Sequence, residues 1–241
     1  MRIYTTEGII FKTVKYSETS IICDIYTREK GLRSYIVSGV RSSRSGSKAA
    51  IYRPLNLIEI VAYDNEGENL NRIKEIYLNH HFQHLNSDVV LSAIGIFMLE
   101  VSRNAIKEKE PNQDLYTFLL NWFLFLDNKL NYHPCLHLRF MIELSIQLGF
   151  GPMENYGNGN FNFDLLDATF CNYPAGGDYI LDLDESGALV ELITYQKDNL
   201  YNLQMTKALR IKTAENLINY FKIHISGFRD LNSFDVLKNV L

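Results

Sequence analysis

Up to about residue 78 the apolar positions come in short bursts separated by polar turns. Segments 8–14, 20–27, 32–40, 55–63 and 69–78 are rich in β-branched and aromatic residues. Turn signals stand between them: Tyr16-Ser17-Glu18, Gly31, Pro54 and Asp64-Asn65-Glu66-Gly67. Five short strands spaced this way predict a small barrel or sandwich. Near His81 the pattern changes. Residues 88–106 are apolar on nearly every side, as in a buried helix. Asn112 or Asp114 can cap a helix over 115–127. Pro134 suits the first position of a helix running to Leu148, with Gly149 just past its end.

The chain between 151 and 160 is rich in Gly and Asn and reads as loop. Weak strand signals follow at 161–163, 179–181 and 188–190. A long helix fits 205–225, ending before Gly227, and Ser233 can cap a last helix over 234–241. The plan is therefore a β-barrel, then an all-helical part interrupted by an irregular insertion. The longest charge-free apolar run, 115–126, falls short of the ~18 residues that a membrane span requires.

Composition narrows the class. The chain has 241 residues, 46% apolar and 22% charged, a globular mix large enough to bury a core without staples. Cys23, Cys135 and Cys171 are too few and too scattered for a disulfide framework or a four-thiolate zinc site, so a reducing setting is expected. Met1-Arg2-Ile3-Tyr4-Thr5-Thr6-Glu7 has no apolar core of a secretory signal. The net charge of −4 hides an asymmetry. Arg28, Lys30, Arg33, Arg41, Arg44, Lys48 and Arg53 face a single acid, Glu29, in one stretch. Between Arg139 and Lys197 there is no Lys or Arg, but nine acids. The first stretch points to a polyanion partner. The second argues against nucleic acid wrapping the whole molecule.

Few catalytic motifs survive inspection. His80 and His84 would share a helical face at metal-ligand spacing, but a third ligand is not apparent. There is no Gly-x-Ser-x-Gly elbow and no phosphate-binding P-loop. Cys171, alone in the insertion, reads as a small core residue. The basic segment 38–48 is more informative. It joins two strands of the expected barrel, carries Arg41, Arg44 and Lys48, has no apolar anchor after Val40, and is flanked by Tyr35 and Tyr52. OB-folds hold single-stranded nucleic acid with such loops, cations taking phosphates and aromatics stacking on bases. Part of the apolar helix at 115–126 could floor a pocket near Arg103, Lys107 or Arg139, suited to an acidic peptide with an apolar end.

Several motifs then line up in order. They are Glu7-Gly8-Ile9-Ile10-Phe11-Lys12 with Tyr16-Ser17-Glu18-Thr19-Ser20, Tyr26-Thr27-Arg28-Glu29-Lys30-Gly31, and Gly39-Val40-Arg41-Ser42-Ser43-Arg44-Ser45. Further on come Leu99-Glu100 with Glu110-Pro111-Asn112, then residues 140–148 with Gly149-Phe150-Gly151-Pro152. Tyr220-Phe221 with His224, Leu231-Asn232-Ser233 and Val236-Leu237 close the series. In these the chain resembles, over essentially its full length, the bacterial RecO recombination mediators.

The resemblance implies an α+β multidomain fold: an OB-fold DNA-binding domain at 1–80, a helical domain at 81–150 and 203–241, and a small zinc-finger-like insertion at 151–202. It implies a non-enzymatic DNA repair and recombination mediator without cofactor. Such a protein binds single- and double-stranded DNA and anneals strands. With RecR, and through the C-terminal tail of single-stranded-DNA-binding protein, it helps load RecA onto coated DNA. It would be cytoplasmic, nucleoid-associated on DNA, and not membrane-bound. Carried over by position, the DNA contacts are Lys12, Arg33, Arg41, Arg44 and Lys48; Arg103, Lys107 and Arg139, near the apolar helix, are the candidates for the partner-peptide contact. One departure stands out. Met153-Glu154-Asn155-Tyr156 occupies the place of the first Cys-x-x-Cys pair of the family's zinc finger. The insertion is therefore expected to be zinc-free, held by β-pairing and aromatic packing. The alternative function is a protein–protein adaptor whose barrel has lost DNA affinity.

Overall fold

A computed structural model describes residues 2–40, 49–64, 70–107, 109–175 and 179–241. They form two compact units, Met1–Asn128 and Lys129–Leu241.

The first unit opens with β1 (Arg2–Lys15), β2 (Ile21–Thr27), β3 (Gly31–Val37), β4 (Leu57–Asp64) and β5 (Leu70–Leu78). They close into a barrel in the order β1-β2-β3-β5-β4. One long strand makes the closure possible. Residues 2–9 of β1 pair antiparallel with β4, and residues 8–15 pair with β2, leaving out Phe11. Phe11 is the extra residue of a β-bulge, because Ile10 faces Ile25 while Lys12 faces Asp24. A bulge turns two successive side chains to different neighbours. Ile10 joins the barrel core with Ile21, Cys23, Ile25, Tyr35, Ile58 and Ile60. Phe11 instead stacks on Tyr26 at 5.5 Å, and Tyr26 packs on Tyr116 at 6.3 Å. One strand thus serves the barrel interior and the helical layer outside it.

That layer is α1 (Val89–Ala105) and α2 (Gln113–Leu126). Asp88 caps α1 by accepting from the Val90 and Leu91 amides, and Asn112 caps α2 by accepting from Leu115. Just past α2, the Asp127 carboxylate accepts three backbone N–H groups, from Gln83 (2.9 Å), His84 (2.8 Å) and Leu85 (2.7 Å). The link that carries His80, His81 and His84 is thereby held in a non-helical course, so the helical spacing of His80 and His84 is not realised.

The quoted motifs explain themselves here as locks. In the β2–β3 turn, Arg28 donates to Glu7 (2.6 Å), Glu29 accepts from the Thr6 hydroxyl, and Lys30 donates to Asp64 (2.8 Å). Gly31 has φ +64°, and a Cβ there would lie 2.5 Å from the Glu110 carbonyl oxygen. Only glycine allows both that backbone and that approach. The Glu110-Pro111-Asn112 motif is therefore the surface against which the turn closes.

The second unit contains α3 (Leu136–Gln147), β6 (Asn162–Asp164), β7 (Thr169–Cys171), α4 (Leu183–Thr194), α5 (Lys207–His224) and α6 (Asn232–Val240). Three expectations need correction. The 188–190 strand is the middle of α4. Asp182 and Glu185 form a reciprocal capping box that starts the helix, and Ala188, Leu189 and Leu192 are its buried face. Pro134 lies in the turn before α3, closed by the Leu136 amide on His133, so the helix opens two residues later. Ser233 falls inside the first turn of α6, whose boundary is the buried Leu231. Only a single bridge, Asp164 to Ile180, marks the 179–181 segment as β.

Expected β-pairing and aromatic packing do hold the insertion together. Asn155 donates to the Phe170 carbonyl and accepts from its amide, both at 2.9 Å, as a neighbouring strand would. Phe163 packs on Phe170 (5.0 Å) and on Tyr220 (6.0 Å), and Phe150 stacks on His224 at 5.3 Å. Tyr220 also donates to the Phe150 carbonyl. The Gly149-Phe150 and Tyr220-Phe221 motifs meet in this cluster. Cys171 is buried and donates to the Asn162 carbonyl.

Candidate nucleic-acid interface

Closure between β3 and β5 rests on three parallel residue pairs, Ser34 with Leu70, Tyr35 with Asn71 and Ile36 with Arg72. Beyond them the strands part, and a groove of about 900 Å³ opens. One wall is Ile36 and Val37 at the end of β3 with Ser38, Gly39 and Val40 just past it; its β5 wall runs over Arg72, Lys74, Glu75 and Tyr77; Tyr63 of β4 lines it too. A short 3₁₀ turn, Ala49–Tyr52, closes it with Ile51 and Tyr52. A second bulge, between Val61 and Ala62 on the β4–β5 ladder, leaves Lys74 outside the register beside Glu75, with 3.5 Å between their charged groups. Tyr77 donates to Glu75 at 2.7 Å. The groove thus offers two exposed cations, one acid, one exposed and one half-buried tyrosine, over an apolar floor of Ile73 and Ile76. Cations take phosphates and aromatic faces stack bases.

The sequence-named residues fall unequally around this groove. Arg41, Arg44 and Lys48 lie outside the described residues, but Val40 and Ile51, on either side of them in the chain, line the groove. Lys12 is half-buried and stands opposite Asp24 in the β1–β2 register. Asp24 also accepts from Ser34 (2.6 Å) and has Arg103 of α1 at 3.9 Å. Arg33 pairs with Ile25 and precedes Tyr35 by two residues, placing it on the row of the barrel interior, away from Lys12. Its charge acts on Tyr4 and Tyr35.

Tyr35 and Tyr52 do not serve as stacking groups. Both are barrel core, 0% and 6% exposed. The Tyr35 hydroxyl is hydrogen-bonded to that of Tyr4 at 2.8 Å. Burial drives the Tyr35 phenol far above its ordinary range and pushes Tyr52 up to about 12. Tyr63 and Tyr77 are the less buried tyrosines that line the groove. They and Arg72 and Lys74 escaped the sequence reading because a strand of alternating polar and apolar residues is ordinary barrel wall. The crowding of Arg72, Lys74 and Tyr77 within six residues was the available signal. The basic stretch is also weaker than it reads, since Arg28 and Lys30 are paired locally.

Of the peptide-contact residues, Arg139 is committed elsewhere. It is 4% exposed and donates to Glu143 (2.8 Å), to the Leu192 (2.5 Å) and Ile193 (2.9 Å) carbonyls, and to Gln196 (3.2 Å). It closes the C-terminal end of α4, where a cation also meets the helix dipole favourably. Arg103 is about one-third exposed, and Lys107 follows it just past α1.

Among the described residues no three His, Cys, Asp or Glu side chains cluster as metal ligands, and no helix is long and apolar enough to cross a membrane. The family profile "Recombination protein O N terminal" matches residues 1–82, and "Recombination protein O C terminal" matches residues 86–180. Among similar proteins, the DNA repair protein RecO of Bacteroides fragilis is 32% identical over 237 residues, covering 98% of both chains. That of Phocaeicola vulgatus is 33% identical over 236 residues, again 98% of both, and that of Christiangramia forsetii is 32% identical with the same coverage.

Proposed function

The chain belongs to the RecO family of DNA repair proteins, and on that premise we propose that it is a recombination mediator that acts by binding rather than by catalysis. It captures single- and double-stranded DNA on the barrel and anneals strands. With RecR, and through an acidic partner tail on single-stranded-DNA-binding protein, it helps load RecA onto coated DNA in the cytoplasm, at the nucleoid. The organisation we propose is a DNA-binding barrel at 1–80, a helical docking domain at 81–150 and 203–241, and a zinc-free insertion at 151–202.

One observation carries the reading: the groove where β3 and β5 part, with Arg72, Lys74 and Tyr77 on its wall and Arg41, Arg44 and Lys48 between its lining residues Val40 and Ile51 in the chain. Lys12, opposite Asp24, lies on another row of the barrel, and Arg33 lies on the interior row, so neither adds to the groove wall. An adaptor without DNA affinity is the second reading, favoured by the local pairing of Arg28, Lys30 and Lys74 with acids. A strand-annealing assay with complementary oligonucleotides, run beside a binding titration at two salt concentrations, separates them. A mediator anneals and shows steep salt dependence; an adaptor does neither.

A further inference from the structure

We infer that the hairpin of the second unit is a docking surface for a basic, partly apolar segment of a partner protein. Aromatic rings run outward in one connected series. Tyr220, 1% exposed, touches Phe163. Phe163 touches Phe170, Phe170 touches Tyr156 at 5.3 Å, and Tyr156 touches Phe161 at 5.7 Å. The last two rings are 48% and 44% exposed. They are nonetheless fixed in place, because Asn155 binds both backbone groups of Phe170 and the Phe161 amide donates to Cys171. At the other end of the hairpin Leu166 and Tyr179 are also exposed, tied together through the Leu165 amide on the Tyr179 carbonyl. Exposed aromatics held rigid by a packed base lose little freedom when a partner covers them, which is the character of binding hot spots.

Charge selects the occupant. The 140–196 stretch has no Lys or Arg. Glu154, two residues before Tyr156, Asp167, next to Leu166 in the hairpin turn, and Asp184 at the start of α4 are exposed. Of the hairpin-side acids, Glu185 alone has a cation in ion-pair range among the described residues, Lys212 at 3.5 Å. A phosphate backbone is repelled by such a surface, whereas lysine and arginine side chains are drawn to it, with apolar neighbours seating on the rings.

The test uses the full chain and two short fluorescein-labelled peptides, one alternating lysine and leucine, the other glutamate and leucine. The lysine peptide is expected to bind at low salt and to protect residues 151–185 from hydrogen exchange. Glu154→Lys/Asp167→Lys should weaken it about tenfold, as should Tyr156→Ala. Glu18→Lys, a charge reversal at an exposed barrel position, should leave it within about twofold of the original after its smaller net-charge effect. Oligonucleotide affinity should not fall in the hairpin variants. The inference is overturned if the charge reversals leave the lysine peptide's affinity unchanged, if the glutamate peptide binds as well, or if an oligonucleotide protects the hairpin.

Discussion

Replacing Asp127 tests how the first unit is held together. Its carboxylate is 9% exposed and receives three backbone donors, two on Oδ1 (His84, Leu85) and one on Oδ2 (Gln83). Asp127→Ala strands all three. The Leu85 amide lies in a buried bond and is left without its acceptor, at about 1–3 kcal/mol; the other two are part-buried and can find water, at about 0.5–1 kcal/mol each. The expected total is about 3 kcal/mol. Asp127→Asn keeps an oxygen for His84 and Leu85 but turns an amide donor toward the Gln83 N–H, so about half that cost is expected. Trp122, the chain's single tryptophan, is 1% exposed in α2, one turn before Asp127, and its fluorescence reports on this unit. Urea transitions followed at that signal should shift down by about 1–2 M for the alanine variant, with asparagine between. Burial alone would raise the Asp127 pKa, but the three backbone donors outweigh it and the pKa is lowered. A depressed carboxylate contributes stability above its unfolded value of about 3.9 and loses it as pH falls through the folded value. The gap between the native chain and the asparagine variant should therefore close in acid. Equal midpoints for all three proteins, or a gap that widens in acid, would refute the reasoning.

Gly31→Ala should cost about 2–3 kcal/mol, from the left-handed backbone and the clash with Glu110, read as a lowered urea midpoint at Trp122. Arg139→Leu should destabilise the second unit by about 3 kcal/mol, because it leaves the Glu143 charge and the α4 carbonyls without their donor; loss of α4 amide protection in hydrogen exchange checks it. Arg103→Glu/Lys107→Glu should weaken an acidic peptide with an aromatic end several-fold at low salt, by fluorescence anisotropy, and hardly at high salt.

The strands were legible because short runs of β-branched and aromatic residues are bounded by turn signals, with Ile21, Cys23 and Ile25 inside and the less buried Ile22 and Asp24 between. The closure was not. It depends on Phe11 being left out of register and on a three-pair parallel contact between distant strands, neither of which has a local signature. Residues 2–7 show little apolar alternation because only half of them turn away from solvent, and this length of β1 is held by pairing with β4. In the insertion, the apolar run at 188–190 favoured a strand, although Asp182 and Glu185 three residues apart already signalled a helix start. The site was half legible. The cations of segment 41–48 stand out in a Ser/Gly-rich context, whereas the tyrosines next to it are core residues and the more exposed ones lie on β4 and β5. Arg139 looked available because sequence cannot show that a cation is enclosed by carbonyls.

The central claim, that the barrel groove holds the DNA backbone, is tested most directly by the salt dependence of oligonucleotide binding. A labelled thymidine oligomer is titrated by anisotropy, across a range of salt, with the native chain, Arg72→Glu/Lys74→Glu and Arg41→Glu/Arg44→Glu. Removing one phosphate-binding cation from a single-strand site should flatten the log–log slope by about 0.7, so each double variant should flatten it by about 1.4 or more. The drop in affinity should be largest at low salt and alike for oligomers of different sequence, because cations on phosphates position a strand without reading it. A native chain with a flat slope, or folded double variants that keep the native affinity and slope, would contradict the account.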